Sequence, residues 1–142
     1  MTSVLQSRVL LDGAATGRLL VLSGPLSLWG GLDPRSGRII DPRHAQHGEV
    51  VTGRVLVLPY GRGSSSASSI LLEAVRLETA PAAIVTRQTD GILALGAAVA
   101  REMYGNCPPV LVLEAHEYDR LVDGAIVEIE SGGVLRLPTG DA

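Results

Sequence analysis

The chain contains no phenylalanine, and aromatic residues make up only 3% of its 142 positions. A core must therefore be built from Val, Leu, Ile and Ala, and platforms on which nucleic-acid bases stack are scarce. Basic residues are few as well: twelve Lys and Arg against fifteen Asp and Glu give a net charge of −3. They are scattered rather than striped, which argues against nucleic acid as a partner. A single cysteine, Cys107, excludes an internal disulfide and cannot by itself hold a metal cluster. Its setting, Tyr104-Gly-Asn-Cys-Pro-Pro ahead of the apolar residues 110–113, predicts a small half-buried residue rather than a catalytic thiol. No run of 18 apolar residues is present, and Met1-Thr-Ser-Val-Leu-Gln-Ser-Arg lacks the charged start and apolar middle of a signal peptide. A cytoplasmic protein with no membrane partner is expected.

What is present is a globular composition, 46% hydrophobic and 19% charged, in a length suited to one domain spanning residues 1–142. Its most informative stretch is Leu56-Val-Leu-Pro-Tyr-Gly-Arg-Gly-Ser-Ser-Ser-Ala-Ser-Ser69, leading into Ile70-Leu-Leu-Glu73. Residues 55–58 read as a buried strand, Gly61 and Gly63 permit a tight turn, and residues 70–77 have helical spacing. Five hydroxyls, on Ser64, Ser65, Ser66, Ser68 and Ser69, thus gather where a helix begins. Unpaired N–H groups and the positive end of the helix dipole suit such a place to a carboxylate or phosphate, or to a serine acting as base or nucleophile. Serines before a helix are also ordinary N-caps, so a capped turn is the competing reading. One cap needs one serine, however, and this loop has five, with Arg62 between its glycines. It is neither a Walker loop, lacking Gly-Lys-Ser/Thr, nor a dinucleotide fingerprint, lacking the third glycine.

His44 and His47 share Asp41-Pro-Arg-His-Ala-Gln-His-Gly48, a spacing that ligates a metal only with help from elsewhere. A polar loop is the commoner explanation, and His44 is kept as a candidate for the rim of a site. His116 reads as surface. Residues 26–37 are too rich in Gly, Pro and Asp for a regular element, and such loops carry function or cap a cavity. They hold the only tryptophan, Trp29, which reads first as a hydrophobic plug anchoring the loop and second as part of a site's rim.

Along the chain, residues 4–11 and 17–22 read as strands that pair with each other as a hairpin or short crossover. Residues 37–41 form a short strand and 49–58 a longer one; a helix follows over 68–77, a strand over 81–85 and a polar turn over 86–91. A second helix spans 92–104, ended by Gly105-Asn106, then a strand over 110–113 and a helical turn over 117–121. Residues 125–130 and 134–137 make a hairpin. The alternation in the middle predicts parallel βαβ units, and the flanks are β-rich. An α/β fold of three layers satisfies both: a parallel sheet, helices on one face, antiparallel β structure on the other. Residues 60–66 and 86–90 then leave the carboxyl ends of parallel strands, where open α/β sheets bind ligands.

These residues resemble the small subunit, or swivelling domain, of the aconitase X hydro-lyases, a group that includes phosphomevalonate dehydratase small subunits. The resemblance runs over about residues 17–137. It is carried by Pro25-Leu-Ser-Leu-Trp-Gly-Gly-Leu-Asp-Pro34, Gly37-Arg-Ile-Ile-Asp41 with His44 and Gly48, Gly53-Arg-Val-Leu-Val-Leu-Pro59, Gly61-Arg-Gly-Ser-Ser-Ser-Ala-Ser68, Ala80-Pro-Ala-Ala-Ile84 and Ile92-Leu-Ala-Leu-Gly96. It implies a β/β/α swivelling domain that closes over the active site of a larger catalytic subunit, in a heterodimer or larger assembly. It also implies that an iron or iron–sulphur centre belongs to that subunit and none to this chain. The first serine after Gly-Arg/Lys-Gly, Ser64 here, is implied as the proton acceptor, with Gly61, Arg62, Gly63, Ser65 and Ser66 contacting substrate. A serine hydroxyl is a poor base in water, and helix N–H groups with Arg62 would favour its alkoxide. Aconitase itself carries a substrate-binding arginine two positions beyond its basic serine; Ser66 stands there, which shifts anion contact to Arg62, the backbone or the partner. The loop and Ala98-Val-Ala-Arg-Glu-Met-Tyr-Gly-Asn-Cys-Pro-Pro109 resemble the bacterial form, implying cis-3-hydroxy-L-proline as substrate. Phosphomevalonate is the alternative within the family. A non-catalytic swivelling carrier module is the alternative outside it, although a phosphohistidine carrier needs a histidine on the exposed loop and this loop has none.

Overall fold

The structure, a computed structural model, describes residues 2–61 and 66–138. Strands β1 (Thr2–Gln6), β2 (Arg8–Leu11) and β3 (Ala15–Val21) come first. A short irregular turn, α1 (Leu28–Gly31), in which Trp29 and Gly30 leave helical geometry, and the two-residue strands β4 (Leu32–Asp33) and β5 (Arg38–Ile39) follow. The alternating region is β6 (Val55–Leu58), α2 (Ser66–Arg76), β7 (Ala83–Thr86), α3 (Gly91–Tyr104) and β8 (Val110–Val112). After the short α4 (Ala115–Tyr118) come β9 (Ile126–Glu130) and β10 (Val134–Pro138).

Eight of the described strands form one sheet in the order β1-β10-β9-β3-β6-β7-β8-β2. Its two edge strands, β1 and β2, are neighbours in sequence, separated only by Ser7, so the sheet must fold back on itself at that residue. Ser7 makes the corner by donating both its N–H (2.9 Å) and its hydroxyl (2.8 Å) to the Gly133 carbonyl. β3 serves both halves: residues 15–18 pair antiparallel with β9, and residues 19–21 pair parallel with β6. One half is antiparallel (β1, β10, β9), while β3, β6, β7 and β8 run parallel.

Side chains of β6 alternate between two cores. Val55 and Val57 point with Leu19, Val85, Leu111, Val127, Ile129 and Leu135 into the space between the two half-sheets. Leu56 and Leu58 point with Leu20, Ile84 and Val110 toward Leu71, Leu93 and Ala97 of the helices. All four residues of β6 and of β7 are buried, as a strand covered on both faces demands. Complete burial of each such aliphatic side chain contributes about 1.5–3 kcal/mol. The central strands are therefore the rigid platform from which the loops at their carboxyl ends depart. The layers are sheet, sheet and helix, as expected from the sequence.

Four details differ from the sequence reading. Residues 2–11 are two strands rather than one, and they pair with β10 and β8 instead of with residues 17–22. β3 finds β6 and β9 as partners because its two halves belong to different layers. The strand expected over 49–58 is ordered as β only from Val55, since Arg54 N–H turns back to the Val51 carbonyl at 3.0 Å. The loop over 26–37 contains α1 and β4, and β4 pairs with β5. Finally, α2 begins at Ser66, two residues earlier than expected, so Ser66, Ser68 and Ser69 lie within the helix.

Candidate active site

The carboxyl ends of β6 and β7 deliver two loops to one edge of the sheet, and these loops are bonded to each other. The Pro59 carbonyl accepts from the N–H groups of Arg87 and Gln88, both at 3.1 Å. Gly61 N–H donates to Asp90 Oδ2 at 3.0 Å, and the other oxygen of the same carboxylate accepts from Ile92 and Leu93 N–H, each at 3.0 Å. Asp90 is thus the N-cap of α3, in the extended conformation that caps adopt, and simultaneously the anchor of Gly61. Below it, the buried Thr86 hydroxyl donates to the Gln88 carbonyl at 2.7 Å, fixing the turn. On its other side Gly61 bridges to Leu26, so the loop after β3 joins the same edge.

These segments enclose a cavity of about 270 Å³. Apolar side chains line it, Leu26, Leu28, Ile92 and Leu93 among them, with Tyr60, Gln88, Thr89 and Asp90 supplying polar atoms. Ala67 in the first turn of α2 also borders it, which brings the positive end of that helix dipole to the cavity. Next to it, sharing Thr89, lies a second cavity of about 550 Å³ lined by Arg8, Arg87, Glu114 and Glu117. Arg8 donates to the Thr89 hydroxyl, and Arg87 stands 5.8 Å from the ring centroid of Tyr118. Burial pushes the Tyr118 hydroxyl up to about 12.

Of the residues named from the sequence, Gly61 lies in the cavity wall and Ser66 opens α2 beside it. Ser64, Arg62, Gly63 and Ser65 lie outside the described residues. Trp29 follows Leu28, a wall residue, but is 62% exposed, so it does not plug the loop. Gly30, with φ 77°, turns the chain right after it, and Leu26, Leu28 and Leu32 fill the interior that the plug was expected to fill. The surrounding loop is held by its own polar groups. Arg35 N–H and the Ser36 hydroxyl donate to Asp33 at 3.0 Å each and keep its carboxyl below the ordinary carboxylate range.

His44 lines a separate cavity with Ser23, Gly24, Pro25 and Asp41, its Nδ1 accepting from Gln46 N–H at 3.0 Å. Its Nε2 is buried without a hydrogen-bond partner among the described residues. His116 is exposed and Cys107 half-buried, as their settings predicted. The residue that sequence reading passed over is Asp90, taken as part of a polar turn. An aspartate directly before a run of helical spacing is an N-cap signal, so the cap was legible; the bond to Gly61 was not.

The model of the aconitase X swivel domain matches residues 4–137. The chain belongs to that family. A cis-3-hydroxy-L-proline dehydratase of Pseudomonas aeruginosa is 45% identical over 126 residues, covering 84% of this chain and 22% of the relative. A phosphomevalonate dehydratase small subunit of Methanosarcina acetivorans is 33% identical over 134 residues, covering 94% of this chain and 90% of the relative. The crystal structure of Thermococcus kodakaraensis aconitase X in its holo-form superposes with a TM-score of 0.85 at 27% identity, covering 96% of this swivel domain and 98% of that chain. The swivel domain spans about a fifth of the length of the cis-3-hydroxy-L-proline dehydratases it matches, 22% in each of two. Its three-layer sheet, sheet and helix arrangement is the aconitase X swivel fold.

Proposed function

We propose that this swivel domain closes over the active site of a large catalytic partner and supplies the serine base of a dehydratase acting on cis-3-hydroxy-L-proline. The observation that carries the reading is the convergence of the Gly61 loop, the α2 N-terminus and the Asp90 turn on one small cavity, in a chain 45% identical to a protein named as such a dehydratase. Ser64, as its alkoxide, would accept the proton leaving the carbon next to the carboxylate, while the C–O bond on the neighbouring carbon breaks, its hydroxide departing on the partner's side of the site and a carbon–carbon double bond remaining. Its hydroxyl is a weak base, and the positive end of α2, which begins two residues later, together with the Arg62 guanidinium would stabilise the alkoxide and the developing negative charge. Gly63, Ser65 and Ser66 would hold the substrate carboxylate through N–H and hydroxyl groups, Gly61, whose own N–H is taken by Asp90, would meet the substrate only as backbone wall, and Trp29 and His44 would stand on the rim.

The cavity supports a compact, partly apolar substrate. At about 270 Å³, walled by Leu26, Leu28, Ile92 and Leu93, it suits a five-membered ring bearing one carboxylate. An iron or iron–sulphur centre is assigned to the partner in a heterodimer or larger assembly. Among the described residues no three of His, Cys, Asp and Glu gather as metal ligands, and Cys107 lies in a different cavity with Val75, Glu78 and Pro108. The donor set described here does not fit such a group. No helix among the described residues is long and apolar enough to cross a membrane, and a cytoplasmic setting is part of the proposal.

Phosphomevalonate is the second reading, favoured by the small-subunit relative that aligns over 90% of its own length. Both are tested by co-expressing this chain with a candidate large subunit and assaying dehydration of cis-3-hydroxy-L-proline and 5-phosphomevalonate. Turnover of the first compound by the pair, lost by about 100-fold or more in Ser64→Ala while the pair still co-purifies, is the expected result. Turnover of the second alone moves the substrate assignment. Unchanged turnover in Ser64→Ala removes that residue from the mechanism.

A further inference from the structure

Asp90 has a second task besides capping α3. A cap requires one acceptor oxygen, and Oδ1 meets that need by receiving Ile92 and Leu93 N–H. Oδ2 is turned to Gly61 N–H at 3.0 Å, across 29 positions of sequence. A Cβ on Gly61 would stand 2.5 Å from this oxygen, so a side chain at 61 would push against a carboxylate whose other oxygen is already held by two N–H groups. Gly61 is the last described residue before segment 62–65, and Ser66 is the first after it.

The other flank is fixed to the same helix. Gly96 lies one and a half turns into α3, and a Cβ there would meet Ser68 Cα and O at 3.0 Å, so α2 rests on α3 with its first turn in backbone contact. Both ends of the segment are therefore referenced to α3: Gly61 through the Asp90 carboxylate, and α2 through the Gly96 crossing. The clamp is completed from the turn after β7, since Arg87 and Gln88 N–H hold the Pro59 carbonyl two residues before Gly61.

We infer that Asp90 is a positioning residue, which locks Gly61 to the N-terminus of α3 and so sets where the loop bearing Ser64 leaves the sheet. The inference rests on the role proposed for Ser64, and it can be tested with and without that role. Serine at position 90 retains an N-cap oxygen but its side chain is too short to bond Ile92 and Gly61 together. Asp90→Ser separates the two tasks. Displacement of a catalytic group by about an ångström costs as much as about 100-fold in rate. In the assembled enzyme Asp90→Ser is expected to lower kcat by about 10–100-fold with KM within about twofold, while the melting temperature of the chain stays within a few degrees. Gly61→Ala should produce the same defect, and the double variant should be no worse than the poorer single one, because both break one bond.

The activity-independent readout is amide hydrogen exchange on the full chain. Gly61 N–H should exchange at least about tenfold faster in Asp90→Ser, with the amides of β6 still protected. Unaltered exchange at Gly61, or kcat losses that multiply in the double variant, would overturn the inference. Faster exchange at Gly61 in a chain whose Ser64→Ala variant turns over normally would uphold the anchor and reject the role of the serine.

Discussion

Tyr118 shows how one polar atom sets a pH limit on this fold. Its ring packs in the core between the half-sheets and its hydroxyl is buried with no partner among the described residues. Desolvation penalises the phenolate, and although Arg87 beside the ring works the other way, the hydroxyl is held at about 12 against the ordinary 10. Above pH 10 the unfolded chain therefore releases a proton that the folded chain retains, and stability falls with pH until about 12. Two units of difference correspond to about 2–3 kcal/mol at the end of that range. Tyr118→Phe keeps the ring and its contact with Arg87 but removes the orphan hydroxyl. Denaturant unfolding should find the variant as stable as the parent or about 1 kcal/mol more stable at pH 7, and free of this loss between pH 10 and 12. A parallel alkaline decline in both proteins would assign it to other groups. The unpartnered oxygen could not be read from the sequence, where Tyr118 is only one apolar position in a helical turn.

At the scale of elements, the decisive contact is that between α2 and α3. Both helices cover one face of the parallel strands, through Ala67 and Leu71 on α2 and Leu93 and Ala97 on α3. They approach closely because Gly96 presents no side chain to Ser68. Gly96→Val forces them apart, and chemical denaturation should register a loss of about 1–3 kcal/mol, the usual cost of overpacking. Gain of stability through better helix propensity would show that the two helices accommodate a side chain at this crossing without cost. The ends of α3 were legible in the sequence: Asp90 as cap, and Gly105, which adopts φ 72° and donates its N–H to the Arg101 carbonyl at 2.8 Å. The start of α2 was less so, because a run of serines satisfies the rules for a cap at several positions equally well. Trp29 was misread for a related reason. Hydrophobicity alone assigns it to the interior, whereas three leucines of the same loop already occupy that space.

The whole molecule depends on the sheet turning back at Ser7. Gly133 receives that corner: its φ of 83° is one that side-chain-bearing residues resist, and a Cβ would meet the Ser7 hydroxyl at 2.6 Å and Val9 Cγ2 at 2.7 Å. Gly133→Ala should lower stability by about 2–4 kcal/mol, from roughly 1–2 kcal/mol of backbone strain and a similar steric cost. Because β1 and β2 continue into different half-sheets, the change should speed amide exchange in both layers together. Exchange confined to β1 and β10 would mean that the antiparallel half opens by itself.

The sequence by itself determined the composition of the core, the βαβ alternation, the three layers, the hairpin of β9 and β10, and the two loops that meet at the carboxyl edge. Each of these follows from local periodicity and turn chemistry, which act between residues a few positions apart. Tertiary structure alone decided the rest: that residues 2–11 divide between two half-sheets, that β3 is shared by both, and that one carboxylate at Asp90 caps a helix and holds Gly61. Those are pairings across tens of residues, and no local rule selects one partner among several strands or acceptors of equal propensity. The choice is made when all of the apolar faces must be covered and all of the buried N–H groups bonded at once.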